Sequence, residues 1–100
     1  MAAVLYALYR RPADAAAFLE HYRTVHAPLV AAMPGLEAFH HAPVPQTILG
    51  RGEWFYLARM RFADRDALSQ ALSSPEGSVA ARDLARFARD VVELFVVEED

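Results

Sequence analysis

The chain has 100 residues, 55% of them apolar and 23% charged, with a net charge of −3 from ten Arg, no Lys and thirteen Asp plus Glu. That is the size and mix of one folded domain, not of a disordered segment. No basic run supports nucleic-acid binding, no cysteine is present to form a disulfide, thiolate or Cys-based metal site, and no apolar run approaches a membrane span.

Residues 1–100 are therefore expected to form a single soluble domain, with the cytoplasm as its default location. Ala3 to Tyr9 (AVLYALY) carries no charge on either parity and stops at Arg10-Arg11-Pro12, as a strand buried on both faces does. Asp14 can then accept from the open amides of a first helical turn. From Asp14 to about Met33 the period is helical. At ~100° per residue, Phe18, Leu19, Tyr22, Val25, His26, Leu29 and Met33 share one arc, and His21 falls at its edge, where solvent is expected. Pro28 lacks a donor and crowds the carbonyl of Thr24, which predicts a kink. Pro34-Gly35 ends the helix.

Leu36 to Val44 (LEAFHHAPV) reads as a second strand, marked as an edge by Pro43 and Pro45. A long connection over 45–52 follows and carries Ile48 and Leu49. Glu53 to Phe62 is the clearest strand, with Trp54, Tyr56, Ala58, Met60 and Phe62 on one parity and Phe55, Leu57, Arg59 and Arg61 on the other. Asp64 caps a short helix to about Leu72. Ser74-Pro75-Glu76 starts another, to about Ala88, with a capping hydroxyl, proline at the first position and an acid at the positive end of the dipole. Val91 to Val97 is the fourth strand.

The order β-α-β-β-α-β predicts an α+β, ferredoxin-like fold: a four-stranded antiparallel sheet, both helical segments on one face, the first and third strands central. The reverse face is expected to gather Phe39, Phe55 and Phe95 with Leu57, Val91 and Val97. Three phenylalanines at ~150–250 Å² each already match the ~300–600 Å² of the largest patch on an ordinary monomer. A second copy packed sheet to sheet is the simplest cover, which predicts a homodimer.

Function has to come from polar residues in apolar places. His26 lies inside the apolar arc beside Pro28. It can bond a carbonyl freed by the proline, or serve as an acid or base facing a cavity. Asp83 sits mid-stripe between Val79 and Phe87, where an unpaired carboxylate would be costly. Either an Arg (Arg82, Arg86 or Arg59) pairs with it, or it converges with His26 across the helices and orients the imidazole. Tyr22, one turn before His26, packs in the core or donates to a substrate oxygen. Tyr6, Trp54, Tyr56, Met60 and Phe62 are candidates for a substrate-binding wall, or simply core. His40 and His41 alternate across a strand and cannot chelate one metal together, so no metal site is expected.

The run Phe18-x3-Tyr22-x3-His26-Ala27-Pro28-Leu29 with Met33-Pro34-Gly35-Leu36, followed by Ser74-Pro75-Glu76-Gly77, Asp83 and Phe87, resembles the EthD family. The resemblance implies a dimeric α+β barrel in which two ferredoxin-like protomers pack sheet to sheet. It also implies a small-molecule pocket between each sheet and its own helices. The wider superfamily includes cofactor-independent monooxygenases, muconolactone isomerases, polyketide cyclases and haem-binding members. Three functions are thus in play. The first is an acid–base enzyme, without metal or organic cofactor, acting on a small hydrophobic or aromatic molecule through His26, Asp83 and Tyr22. The second is a non-catalytic carrier or accessory protein. The third is a haem protein with His26 as axial ligand.

Overall fold

Alternation and capping place the elements. A computed structural model describes residues 1–100, in which β1 (Ala2–Arg10), β2 (Leu36–Pro43), β3 (Trp54–Phe62) and β4 (Val92–Glu99) form one antiparallel sheet in the order β2-β3-β1-β4. The two most apolar strands, β1 and β3, are the central pair. Their register sets Leu5 opposite Met60, Ala7 opposite Ala58 and Tyr9 opposite Tyr56. These residues, with Ala3 and Phe62, form the buried face under the helices. The fold is the ferredoxin-like α+β arrangement that the element order requires.

Between β1 and β2 the chain is helical in three pieces: α1 (Ala15–His21), a π-helical turn (Tyr22–His26) and α2 (Ala27–Ala31). Asp14 caps α1 by accepting from the Ala17 amide. The irregularity expected at Pro28 takes the form of a widened turn just ahead of it. A proline at 28 cannot donate to the Thr24 carbonyl and crowds it. The widened turn instead bonds i to i+5, as when the Ala27 amide donates to the Tyr22 carbonyl. Gly35, at φ +78°, makes the left-handed turn into β2.

After β3, Asp64 caps α3 (Arg65–Ser73) and Ser74 caps α4 (Pro75–Ala88), each side chain accepting from a first-turn amide. The α3–α4 corner is tight. A Cβ built on Gly77 would stand 2.1 Å from the Ala71 carbonyl oxygen, so only glycine fits. The helices stop short of β4, whose Leu94 and Val96 stay about half exposed on the helix side. No helix is long and apolar enough to cross a membrane.

The reverse face differs from the one expected. Register shifts between Tyr9 and Arg10, so Arg10 faces Trp54 and Phe55 is the extra, bulged residue. A bulge turns its residues off the strict alternation. Phe55 therefore packs on Phe18 of α1, ring centroids 5.7 Å apart, and Trp54 rotates to the open face beneath the Arg10 guanidinium. Phe39 pairs with Met60 and lies tilted against the His41 ring on the helix side, and Val91 packs against the core ahead of β4. Of the residues expected there, Leu57, Phe95 and Val97 remain on the open face. They are joined by Tyr6, whose ring stacks on Phe95, and by the ion pairs Arg10–Glu93, Arg59–Glu99 and Arg61–Glu37.

Candidate functional site

The π turn decides the site. In a continuous α-helix His21 and His26 would point about 140° apart, at ~100° per residue. Widening the turn between them brings both rings to one carboxylate on α4. His26 Nδ1 lies 2.9 Å from Asp83 Oδ2, and His21 Nε2 lies 2.9 and 3.0 Å from Oδ1 and Oδ2. An ionised carboxylate only accepts, so both rings donate. Asp83 and His26 are buried, with side chains 8% and 5% exposed, while His21 keeps 33%. The expectation that His21 is simply solvated is therefore corrected. None of the three arginines weighed for Asp83 reaches it: Arg59 pairs with Glu99, and Arg82 donates to Ser78.

Donation from Nδ1 fixes the tautomer of His26. In the neutral ring the other nitrogen, Nε2, then carries a lone pair. Burial holds His26 below the ordinary imidazole value, and Asp83 opposes that shift without cancelling it. No buried side-chain nitrogen or oxygen lacks a partner, so Nε2 faces open space. The His26 ring also borders a cavity of about 70 Å³ between the sheet and α2, α3 and α4, bounded by Tyr9, Tyr22, Met33, Met60 and Leu84 among others. The cavity is almost wholly apolar and opens beside Leu72 and Leu94, where the helices leave β4 uncovered.

Tyr22 is 2% exposed and packs edge-on to Tyr9, its ring 5.3 Å from that of His26. Burial raises both phenols well above the ordinary tyrosine value, so both stay protonated as possible donors. On the far side of Tyr22, His41 Nδ1 and the Tyr56 hydroxyl share a hydrogen bond of 2.6 Å. Burial also lowers His41, which favours its neutral form.

The residues expected to line a substrate wall separate. Met60 bounds the cavity. Tyr56 is on the same side, occupied with His41. Phe62 is fully buried in the core and does not reach the cavity. Tyr6 and Trp54 lie on the opposite face, and there both expectations are corrected. Tyr6 follows from β1 parity, and its hydroxyl donates to Glu99. Trp54 follows from the bulge at Phe55. Tyr9 and His21 were missed as site residues. Tyr9 shares the parity of Ala3, Leu5 and Ala7, a signal that was present; the π turn that recruits His21 left none in the apolar pattern. Haem does not fit the residues present, because a 70 Å³ apolar cavity is far too small for a porphyrin plane beside His26.

Comparison with known proteins follows the same lines. The model of the EthD domain family matches residues 10–90. An uncharacterized 11.0 kDa protein of the thcB–thcC intergenic region of Rhodococcus erythropolis is 36% identical over 93 residues, which is 93% of this chain and 90% of that one. The crystal structure of an EthD family protein from Bacillus halodurans C-125 is 33% identical and superposes with a TM-score of 0.94 over the whole of both chains. A dimeric ferredoxin-like protein of unknown function from Jannaschia sp. CCS1 shares the fold at 18% identity and a TM-score of 0.75, over 99% of this chain and 100% of the other.

Proposed function

The chain belongs to the EthD family, and from that premise we propose that it binds a small hydrophobic or aromatic molecule and moves a proton on it with His26. The observation that carries the reading is a buried carboxylate, Asp83, holding the Nδ1 side of His26 while the ring borders an apolar cavity. A base needs an unprotonated nitrogen in a place where water does not compete for it, and burial combined with a fixed tautomer supplies both. His26 would take the proton, Asp83 would orient the ring and stabilise its charged form, and Tyr22 would donate to an oxygen that gains charge. Tyr9 stands beside Tyr22 for the same task. The cavity is smaller than the ~300–1,000 Å³ of drug-sized sites, which limits the guest to a small molecule or to one end of a larger one.

The test is hydrogen–deuterium exchange at an acidic C–H of small enolisable aromatic ketones, followed by proton NMR in D₂O. The protein should accelerate exchange of at least one, and His26→Gln should lose ~10²–10⁴ of that acceleration. Binding without exchange, unchanged in His26→Gln, would instead support the carrier reading that the apolar lining also favours.

The assembly belongs to the same proposal. The helices cover one side of the sheet, and Phe95 and Val97 stay 46% and 38% exposed on the other. Pairing of two copies through this face would bury them and surround the three ion pairs that cross it.

A further inference from the structure

Asp83 stands between two separate openings. His26 borders the interior cavity, whereas His21 lines a surface cleft with Pro12, Asp14, Ala17, Phe18 and Phe87, and the two share no lining residue. The two rings both bond the buried carboxylate and both pack on the uncharged ring of Phe87, so the carboxylate is the one charged group they share. One buried negative charge supports one imidazolium well. A second, a few ångströms away in the same setting, is opposed by like charge. We propose that His21 and His26 share a single proton across Asp83, so that the outer ring releases one to the cleft when the inner ring accepts one from a ligand.

The proposal rests on the reading of His26 as a base for its trigger, but not for its existence. In the forward step the X–H bond of the ligand breaks, its electron pair stays on X, and the proton bonds to His26 Nε2. The Nδ1–H of His26 and the Nε2–H of His21 remain on Asp83. His21 Nδ1 passes its proton to water or buffer in the cleft. The three side chains keep the same total charge throughout, and the anion left on X faces the newly formed imidazolium of His26. The proton released is the outer ring's own, so its departure into the cleft is not blocked by the bound molecule. His21 is a positioning residue in this scheme, since it acts on the ligand only through Asp83 and His26.

The groups facing the pair agree with this order of protonation. Asp83 from α4 touches both rings, and Asp14, at the cap of α1, borders the cleft beside His21. On the inner side His26 meets the rings of Tyr22 and Phe87, neither of which brings a charge. Burial, and then the neighbouring His21, press His26 toward its neutral form. The inner ring is therefore held neutral until a ligand supplies a proton.

Long-range proton–nitrogen NMR of ¹⁵N-histidine-labelled protein, from pH 8.5 down to 4.5, tests the proposal without any turnover. In the unaltered protein His21 should take up the first proton while His26 stays neutral. In His21→Gln, whose amide still donates to Asp83 but cannot carry charge, the His26 midpoint should rise by about one pH unit. An unchanged His26 midpoint in that variant, or His26 taking the first proton in the unaltered protein, would overturn the proposal. Should His21→Gln fail to fold, the order of protonation in the unaltered protein decides alone. Absent C–H exchange with the coupling intact would sink the base assignment and leave the shared proton standing.

Discussion

Replacing Asp83 with asparagine removes the charge that joins the two helices and changes almost nothing in shape. The carboxylate receives two donors, His21 Nε2–H and His26 Nδ1–H, at 2.9–3.0 Å. Hydrogen bonds to a charged group are worth ~1.5–3 kcal/mol each. The asparagine carbonyl can still accept from one ring, but its NH₂ meets the other as donor against donor unless that ring changes tautomer. One such bond is therefore lost and the other weakened, which costs about 2 kcal/mol. In a domain of this length each kcal/mol moves Tm by ~4–8 °C, so Asp83→Asn should melt roughly 8–16 °C lower. Urea unfolding and thermal melts at pH 8, where the histidines are neutral in the unfolded chain, measure this. A variant that unfolds cooperatively at the wild-type urea midpoint would refute the idea that this carboxylate holds the helical layer together.

Stability should also depend on acid through His26. Its native value is lowered, so below the ordinary pH of about 6.5 the unfolded chain binds more protons than the folded one. The His26 contribution is thus fully present above that pH and is lost as pH falls through and below it; in His26→Gln, urea midpoints measured from pH 8 to 5 should show a shallower loss. Gly77→Ala should cost ~1–3 kcal/mol in chemical unfolding, because its Cβ would meet the Ala71 carbonyl at 2.1 Å and the α3–α4 corner must shift. Phe95→Asp places a charge in the middle of the open face, beside Tyr6. Sedimentation should show dimer for the unaltered chain and monomer for the variant, and a wild-type monomer at micromolar concentration would contradict the pairing.

Much of the fold was legible in the order and capping of its elements, although β1, apolar on both parities, did not say which side faces the helices. Ala3, Leu5, Ala7 and Tyr9 against Tyr56, Ala58, Met60 and Phe62 define the helix-facing side, and Asp14, Asp64 and Ser74 mark their helices. Two local irregularities were not legible, and both moved candidate residues. A one-residue bulge flips every side chain beyond it to the other face, so Phe55 joined the core and Trp54 left the pocket side. The widened turn ahead of Pro28 changed the angular step on which the helical wheel depends, so His21 moved from the solvent edge onto Asp83. An acid inside an apolar stripe did signal Asp83, because a buried carboxylate demands partners. The stripe alone did not say that two histidines, not an arginine, would supply them.

The tautomer of His26 at neutral pH is the most direct test of the base assignment. Nitrogen-15 shifts should place the proton on Nδ1, toward Asp83, and leave Nε2 bare toward the cavity. A proton found on Nε2, or on both nitrogens at pH 7.5, would leave the cavity without a base.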